Sequence, residues 1–139
     1  MSFQEKSTAL MLGIVVLVYA WYFATILGRI ADTPVEQISY QPVMLVTVGA
    51  LVVLAIVGHI LIVLSPGYEG DRSDERDRLI DIRGEWIGGF VLGVGTLTGL
   101  LLAMAELETF WIANALLAGL VLSEIVSGVA KLVLYRRAI

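Results

Sequence analysis

Four apolar runs, at about residues 7–28, 42–64, 84–105 and 109–134, decide what this chain can become. Each exceeds the roughly 20 residues that cross a hydrocarbon core as a helix. Lipid offers no partner to a backbone N–H or C=O, so each run must satisfy its own hydrogen bonds as a helix. A closed barrel would need segments of about ten residues with alternating polarity, and the sequence has none. Composition enters because it removes the other classes. Of the 139 residues 58% are hydrophobic and 16% charged, against about 45–50% and 25% in a soluble domain. A domain this small cannot bury such an excess, which excludes a soluble enzyme and a disordered chain. The absence of cysteine excludes a disulfide scaffold, and a net charge of −4 without a basic patch excludes nucleic acid as a partner.

The first run reads as a span rather than a cleavable signal. Its apolar part is too long, and Trp21, Tyr22 and Phe23 stand where small residues would precede a cleavage site. No lipidation motif is present. With both termini inside the cell, Lys6, Arg72, Arg76, Arg78, Arg83, Lys131, Arg136 and Arg137 are cytoplasmic and Arg29 alone lies outside, a strong bias under the positive-inside rule. Tyr40, Phe110 and Trp111 then mark the outer boundary, and Tyr68, Trp86 and Tyr135 the inner one.

Short loops make consecutive helices antiparallel neighbours. The expected fold is therefore all-α and integral to the membrane: one domain over residues 1–139, an up-down-up-down four-helix bundle in a bacterial or archaeal plasma membrane. Thr33-Pro34-Val35-Glu36 has the form of a capping box with Pro at the first helical position. It predicts a helical turn before the second span, with a kink or break at Pro42. Ser65-Pro66-Gly67 ends the second span. Both hairpins run in the same direction, so the chain alone is not an inverted-repeat transporter.

The stretch from Asp71 to Arg83 is dense in charge. Ser73 can cap a helix, with Asp74 and Glu75 favourable in its first turn, and no proline separates it from the third span. The pattern predicts one helix from about Ser73 to about Ala105, roughly 50 Å long, whose first turns project into the cytoplasm. Asp74, Asp77 and Asp81 share one face, Arg76 and Arg83 the other, and Asp74–Arg78 is an i,i+4 pair. This segment is either a solvated helix end that fixes topology or a docking surface, formed by Asp74, Glu75, Arg76, Asp77 and Arg78, for a cytoplasmic protein. Carboxylates on one straight helix face cannot wrap a cation, so no metal site is expected there.

The Asp74-Glu75-Arg76-Asp77 box, followed by Ile80 and by Arg83-Gly84 at the entry to a Gly-rich span, resembles a family of small membrane proteins of bacteria and archaea that has no assigned function. The resemblance covers about Asp74 to Arg137. It implies four spans with the box on the cytoplasmic side, and brings no catalytic residues and no cofactor.

Within the spans, small residues form stripes. Gly84, Gly88, Gly95 and Gly99 fall on one face of span 3, with Gly89, Gly93 and Thr96 on another. Span 4 carries Ala115, Gly119, Ser123 and Ser127, and span 1 Ala20, Ala24 and Gly28. Small residues let membrane helices approach closely, so the stripes predict helix packing. The second face of span 3 predicts a homo-oligomer. Ionisable groups at depth are functional candidates because they are costly there. Glu124 lies near the middle of span 4 and His59 in span 2. Their depths differ by about 5 Å, so they meet if spans 2 and 4 are neighbours. Asn114 lies toward the outer end of span 4, and Lys131 should snorkel to the cytoplasmic headgroups.

Enzyme chemistry has little to stand on. There is a single His, no metal-ligand spacing and no phosphate loop. Two functions remain: an accessory or signalling subunit that presents the Asp74–Arg83 helix to a partner, or a small transporter or channel for protons, cations or a small molecule. In the second, Glu124, His59, Asn114 and Lys131 handle the ligand.

Overall fold

The computed structural model describes residues 3–64 and 75–137. They form four helices, α1 (Phe3–Asp32), α2 (Gln41–Val63), α3 (Glu75–Met104) and α4 (Thr109–Arg137), with a 3-10 turn (Val35–Gln37) between the first two and no strand among the described residues. All four are long and apolar enough to cross a membrane. Their 30, 23, 30 and 29 residues correspond to about 35–45 Å at 1.5 Å per residue. Leu17, Leu45, Leu61, Trp86, Phe90 and Met104 are each 63–74% exposed. Water would drive such surface together; lipid is an equivalent solvent for it.

The helices pack in the order α2, α1, α4, α3. The α3–α4 seam is the closest, and the sequence says why. Each glycine of the first α3 stripe meets α4. A Cβ on Gly84 would strike Lys131, one on Gly88 would lie 2.8 Å from Ser127 Cβ, one on Gly95 2.7 Å from Gly119 Cα, and one on Gly99 would strike Leu116. Bare backbone on both sides lets the axes approach, and the Ser123 hydroxyl donates across the gap to the Gly88 carbonyl at 2.7 Å. The second stripe stays open, with nothing within 4 Å of Gly89 or Gly93. The α1–α4 seam is of another kind. Val15, Tyr19, Tyr22 and Ile26 of α1 and Phe110, Leu117 and Val121 of α4 form the buried core. Tyr40 joins it edge-on to Phe110, ring centroids 5.6 Å apart.

Several expectations need correction. The helices do run antiparallel to their packed neighbours, but α2 and α3, consecutive in sequence, share no packed seam, because α4 takes the small face of α3 and α1 lies between α2 and α4. Thr33–Glu36 does not form a capping box. The turn begins after Pro34, with no side-chain cap. Of the kink or break expected at Pro42 the structure has a break, residues 38–40 being non-helical, and Pro42 then sits in the first turn of α2, where its missing N–H leaves nothing unpaired. The α3 helix does not project alone. The last turn of α4 lies beside its first, and the Arg76 guanidinium donates to the Tyr135 carbonyl at 2.6 Å, satisfying one free carbonyl at that helix end. Ser73 and Asp74 lie outside the described residues.

The α3–α4 turn holds a surprise of its own. Glu106 adopts a left-handed φ of 57°. Its N–H bonds to Ala103 O at 3.0 Å, and that of Leu107 to Leu102 O at 3.2 Å. This pair of bonds is a Schellman ending, built where glycine is the usual occupant.

Candidate functional site

The α1–α4 seam changes character along its length. Toward the ends where α1 finishes and α4 begins, large side chains fill it. Toward the other end, the basic end that carries Lys131 and Arg136, small polar residues replace them: Ser7 and Thr8 on α1, Ser127 and Gly128 on α4. Leu12 packs on Gly128, and beside that contact the short side chains leave a cleft of about 230 Å³. Met11, Leu12 and Val15 form its apolar wall, Asp81 of α3 and Lys131 flank it at the basic end, and Glu124 lines it at the deepest level of α4. Glu124 is residue 16 of the 29 in its helix. It is exposed to the cleft and has neither a hydrogen bond nor an ion pair among the described residues.

Beyond Glu124 the seam is shut. Tyr19 is 3% exposed and Tyr22 is fully buried, and Leu117 and Val121 are buried as well. The Tyr22 hydroxyl donates to Asn114 Oδ1 at 2.5 Å, and Asn114 Nδ2 donates to Phe110 O at 2.8 Å. On the far side of this plug lies an apolar groove of about 400 Å³, with Asn114 as its polar lining residue. The chain therefore holds a partly polar cleft in one half of the seam and a buried plug in the other.

Lys131 does not reach outward. Its ammonium pairs with Asp81 at 2.8 Å and Glu85 at 2.6 Å while its stem lies on Gly84. Its side chain is 14% exposed against about 65% for its partners. The cleft as a whole is thus lined by one basic and two acidic side chains, Lys131 and Asp81 at the mouth and Glu124 at the floor, an excess of acid that favours positive charge.

His59 and Glu124 do not meet. The expectation required α2 beside α4 at this depth, and α2 packs on α1 instead. The two His59 ring nitrogens are taken, Nδ1 by Ala55 O at 2.8 Å and Nε2 by Ser7 Oγ at 2.9 Å. A carbonyl can only accept, so Nδ1 carries the proton. Where the ring carries that proton alone, Nε2 accepts from the Ser7 hydroxyl. The role left to His59 is to orient Ser7, which lines the cleft.

The docking residues divide. Arg76 is bound to Tyr135, with its guanidinium also 5.9 Å from that ring, and Asp77 is engaged as well. Glu75 and Arg78 are exposed. Ser7, Thr8, Met11, Tyr19, Tyr22 and Asp81 were absent from the sequence-derived candidates. A signal for Thr8, Tyr19 and Tyr22 exists: positions 8, 12, 15, 19, 22 and 26 alternate spacings of four and three, as do 110, 114, 117, 121, 124 and 128. This is the 3.5-residue repeat of two helices in a shared seam, and it places Glu124 at a core position of that seam. Compared with known protein families, with curated proteins and with solved structures, the chain matches none.

Proposed function

We propose that this protein is a small membrane carrier for a cation, with Glu124 as its binding group. One observation carries the reading: a carboxyl at the middle of α4, exposed in the cleft and without a hydrogen-bond or ion-pair partner among the described residues. An unpaired carboxylate at that depth is expensive in lipid, and a cation arriving through the cleft supplies the missing partner. The docking reading is weaker on the same geometry, because Arg76 and Asp81 are engaged within the chain. The charge bias of the loops favours the cytoplasmic side for the Lys131 end of the cleft, in our reading that of a bacterial or archaeal plasma membrane. No bond-making chemistry is assigned to the chain.

Reconstitution into sealed vesicles tests this reading. Wild-type protein should move protons, Na⁺ or a small organic cation across the bilayer, and Glu124→Gln should lower that rate at least ten-fold with unchanged elution and thermal unfolding. Equal rates for the two proteins would end the proposal. A homo-oligomer is the second part of the reading. The open Gly89–Gly93 face favours it, and sedimentation of Gly89→Ile and Gly93→Ile variants, expected to shift toward monomer, tests it.

A further inference from the structure

The lining of the cleft says more about which cation it takes, on the premise that Glu124 binds one. A divalent metal is a poor fit. It needs six or more oxygen ligands or a tight octahedral set, and among the described residues no three His, Cys, Asp or Glu side chains gather to hold one. A bare proton needs one acceptor and no space. The cleft offers 230 Å³, room for about seven or eight waters at ~30 Å³ each. Its wall is mixed. On one side stand hydroxyls and the carboxylate, on the other Met11, Leu12 and Val15.

The polarity of the hydroxyls matters more than their number. With the His59 ring neutral, its Nδ1 donates to the Ala55 carbonyl and the Ser7 hydroxyl donates to its Nε2. What Ser7 turns toward the cleft is therefore lone pairs. Glu124 offers only acceptors when ionised, and Ser127 can accept as well. The one ammonium of the lining, Lys131, is held by Asp81 and Glu85, which leaves the acceptors of Glu124 and Ser7 beside an apolar wall, a match for a ligand with several N–H donors, one positive charge and a short hydrocarbon tail.

We infer that the cleft binds a small primary alkylammonium ion, its head on Glu124 and Ser7 and its tail along Met11, Leu12 and Val15. His59 is a positioning residue here: it fixes the direction of the Ser7 hydroxyl and does not touch the ligand. A primary ammonium has three N–H groups to give, whereas a quaternary ammonium of the same charge has none. The site should discriminate between them on that ground alone.

The test uses the full chain in lipid nanodiscs, with calorimetric titration of methyl-, ethyl- and propylammonium, tetramethylammonium and Na⁺. Affinity should rise about three- to four-fold per added methylene, as burial of a CH₂ dictates. Tetramethylammonium should bind at least ten-fold more weakly than propylammonium. Glu124→Gln should lose at least ten-fold. Met11→Trp, which fills the wall, should weaken propylammonium more than methylammonium. His59→Phe should weaken all primary amines three- to ten-fold and leave the tetramethylammonium affinity unchanged, a pattern that general damage to the fold would not give. Glu124-dependent movement of protons or Na⁺ without alkylammonium binding would overturn this inference and leave the carrier reading standing. Equal affinity for tetramethylammonium and propylammonium would overturn the donor argument. Absence of any Glu124-dependent binding or movement would overturn both.

Discussion

Gly95→Ala adds one carbon where the structure has least room for it. The new Cβ would lie 2.7 Å from Gly119 Cα, and ordinary carbon contacts sit at about 3.5–4.0 Å. Backbone cannot rotate away as a side chain can, so α3 and α4 must part locally by about 1 Å, the difference between those two distances. Two turns away the same parting stretches the bond from Ser123 Oγ to Gly88 O, now 2.7 Å, to near the limit of a useful hydrogen bond. Overpacking of this kind costs about 1–3 kcal/mol, and an interhelical hydrogen bond in a membrane is worth about 0.6 kcal/mol on average. The expected loss is therefore about 2–4 kcal/mol. Unfolding by titration with a denaturing detergent in mixed micelles measures it. Gly93→Ala is the control: the same helix and the same added carbon, with nothing within 4 Å. It should stay within about 0.5 kcal/mol of wild type. A Gly95→Ala protein as stable as wild type, or a Gly93→Ala protein as damaged as Gly95→Ala, would refute the assignment of the two glycine faces.

Other perturbations separate further parts of the account. Tyr22→Phe removes the donor to Asn114 Oδ1 inside the plug and should cost about 1–2 kcal/mol, read by the same detergent titration. Glu106→Gly relieves a left-handed backbone and should raise stability by about 1 kcal/mol. A loss there would show that the Glu106 side chain does something unseen. Lys131→Met removes the cation from the cleft mouth. It should change stability little, because Asp81 and Glu85 are mostly exposed. The Lys131 charge sits about 10 Å along α4 from Glu124, seven residues at 1.5 Å. Its removal should tighten cation binding roughly two- to fifteen-fold for an effective dielectric of about 80 to 20, with the gain shrinking in salt. Arg76→Ala frees the Tyr135 carbonyl, and hydrogen exchange should show the last turn of α4 fraying while α3 stays protected.

What could be read from the chain follows from the range of the forces involved. Span number and helix limits were legible because a helix in lipid is dictated by about 20 neighbouring residues and nothing else. The packing face of α3 was legible for a similar reason: Gly84, Gly88, Gly95 and Gly99 mark a surface of close approach without any partner being known. Which helix would fill that surface was not, since small residues permit contact and do not select the neighbour. The order α2, α1, α4, α3 and the separation of His59 from Glu124 were lost with it. The ion pairs of Lys131 were not legible because its partners Asp81 and Glu85 lie 50 and 46 residues away, and only the fold brings them together. Glu106 was invisible because its residue type argues against the conformation that the turn imposes. The cleft itself is a deletion of bulk. Ser7, Thr8, Ser127 and Gly128 look unremarkable singly, and become a site only when two helices set them opposite each other.

The account turns on Glu124 being wetted from one side of a membrane and sealed from the other. The chain has no cysteine, so single cysteines at Glu124, Ser7, Leu117 and Arg136, each in full-length protein in oriented vesicles, can be labelled with a membrane-impermeant maleimide from either face. Glu124→Cys and Ser7→Cys should label from the same face as Arg136→Cys and not from the opposite one, with Leu117→Cys unreactive from both. Labelling of Glu124→Cys from the opposite face, or from neither face, would contradict it.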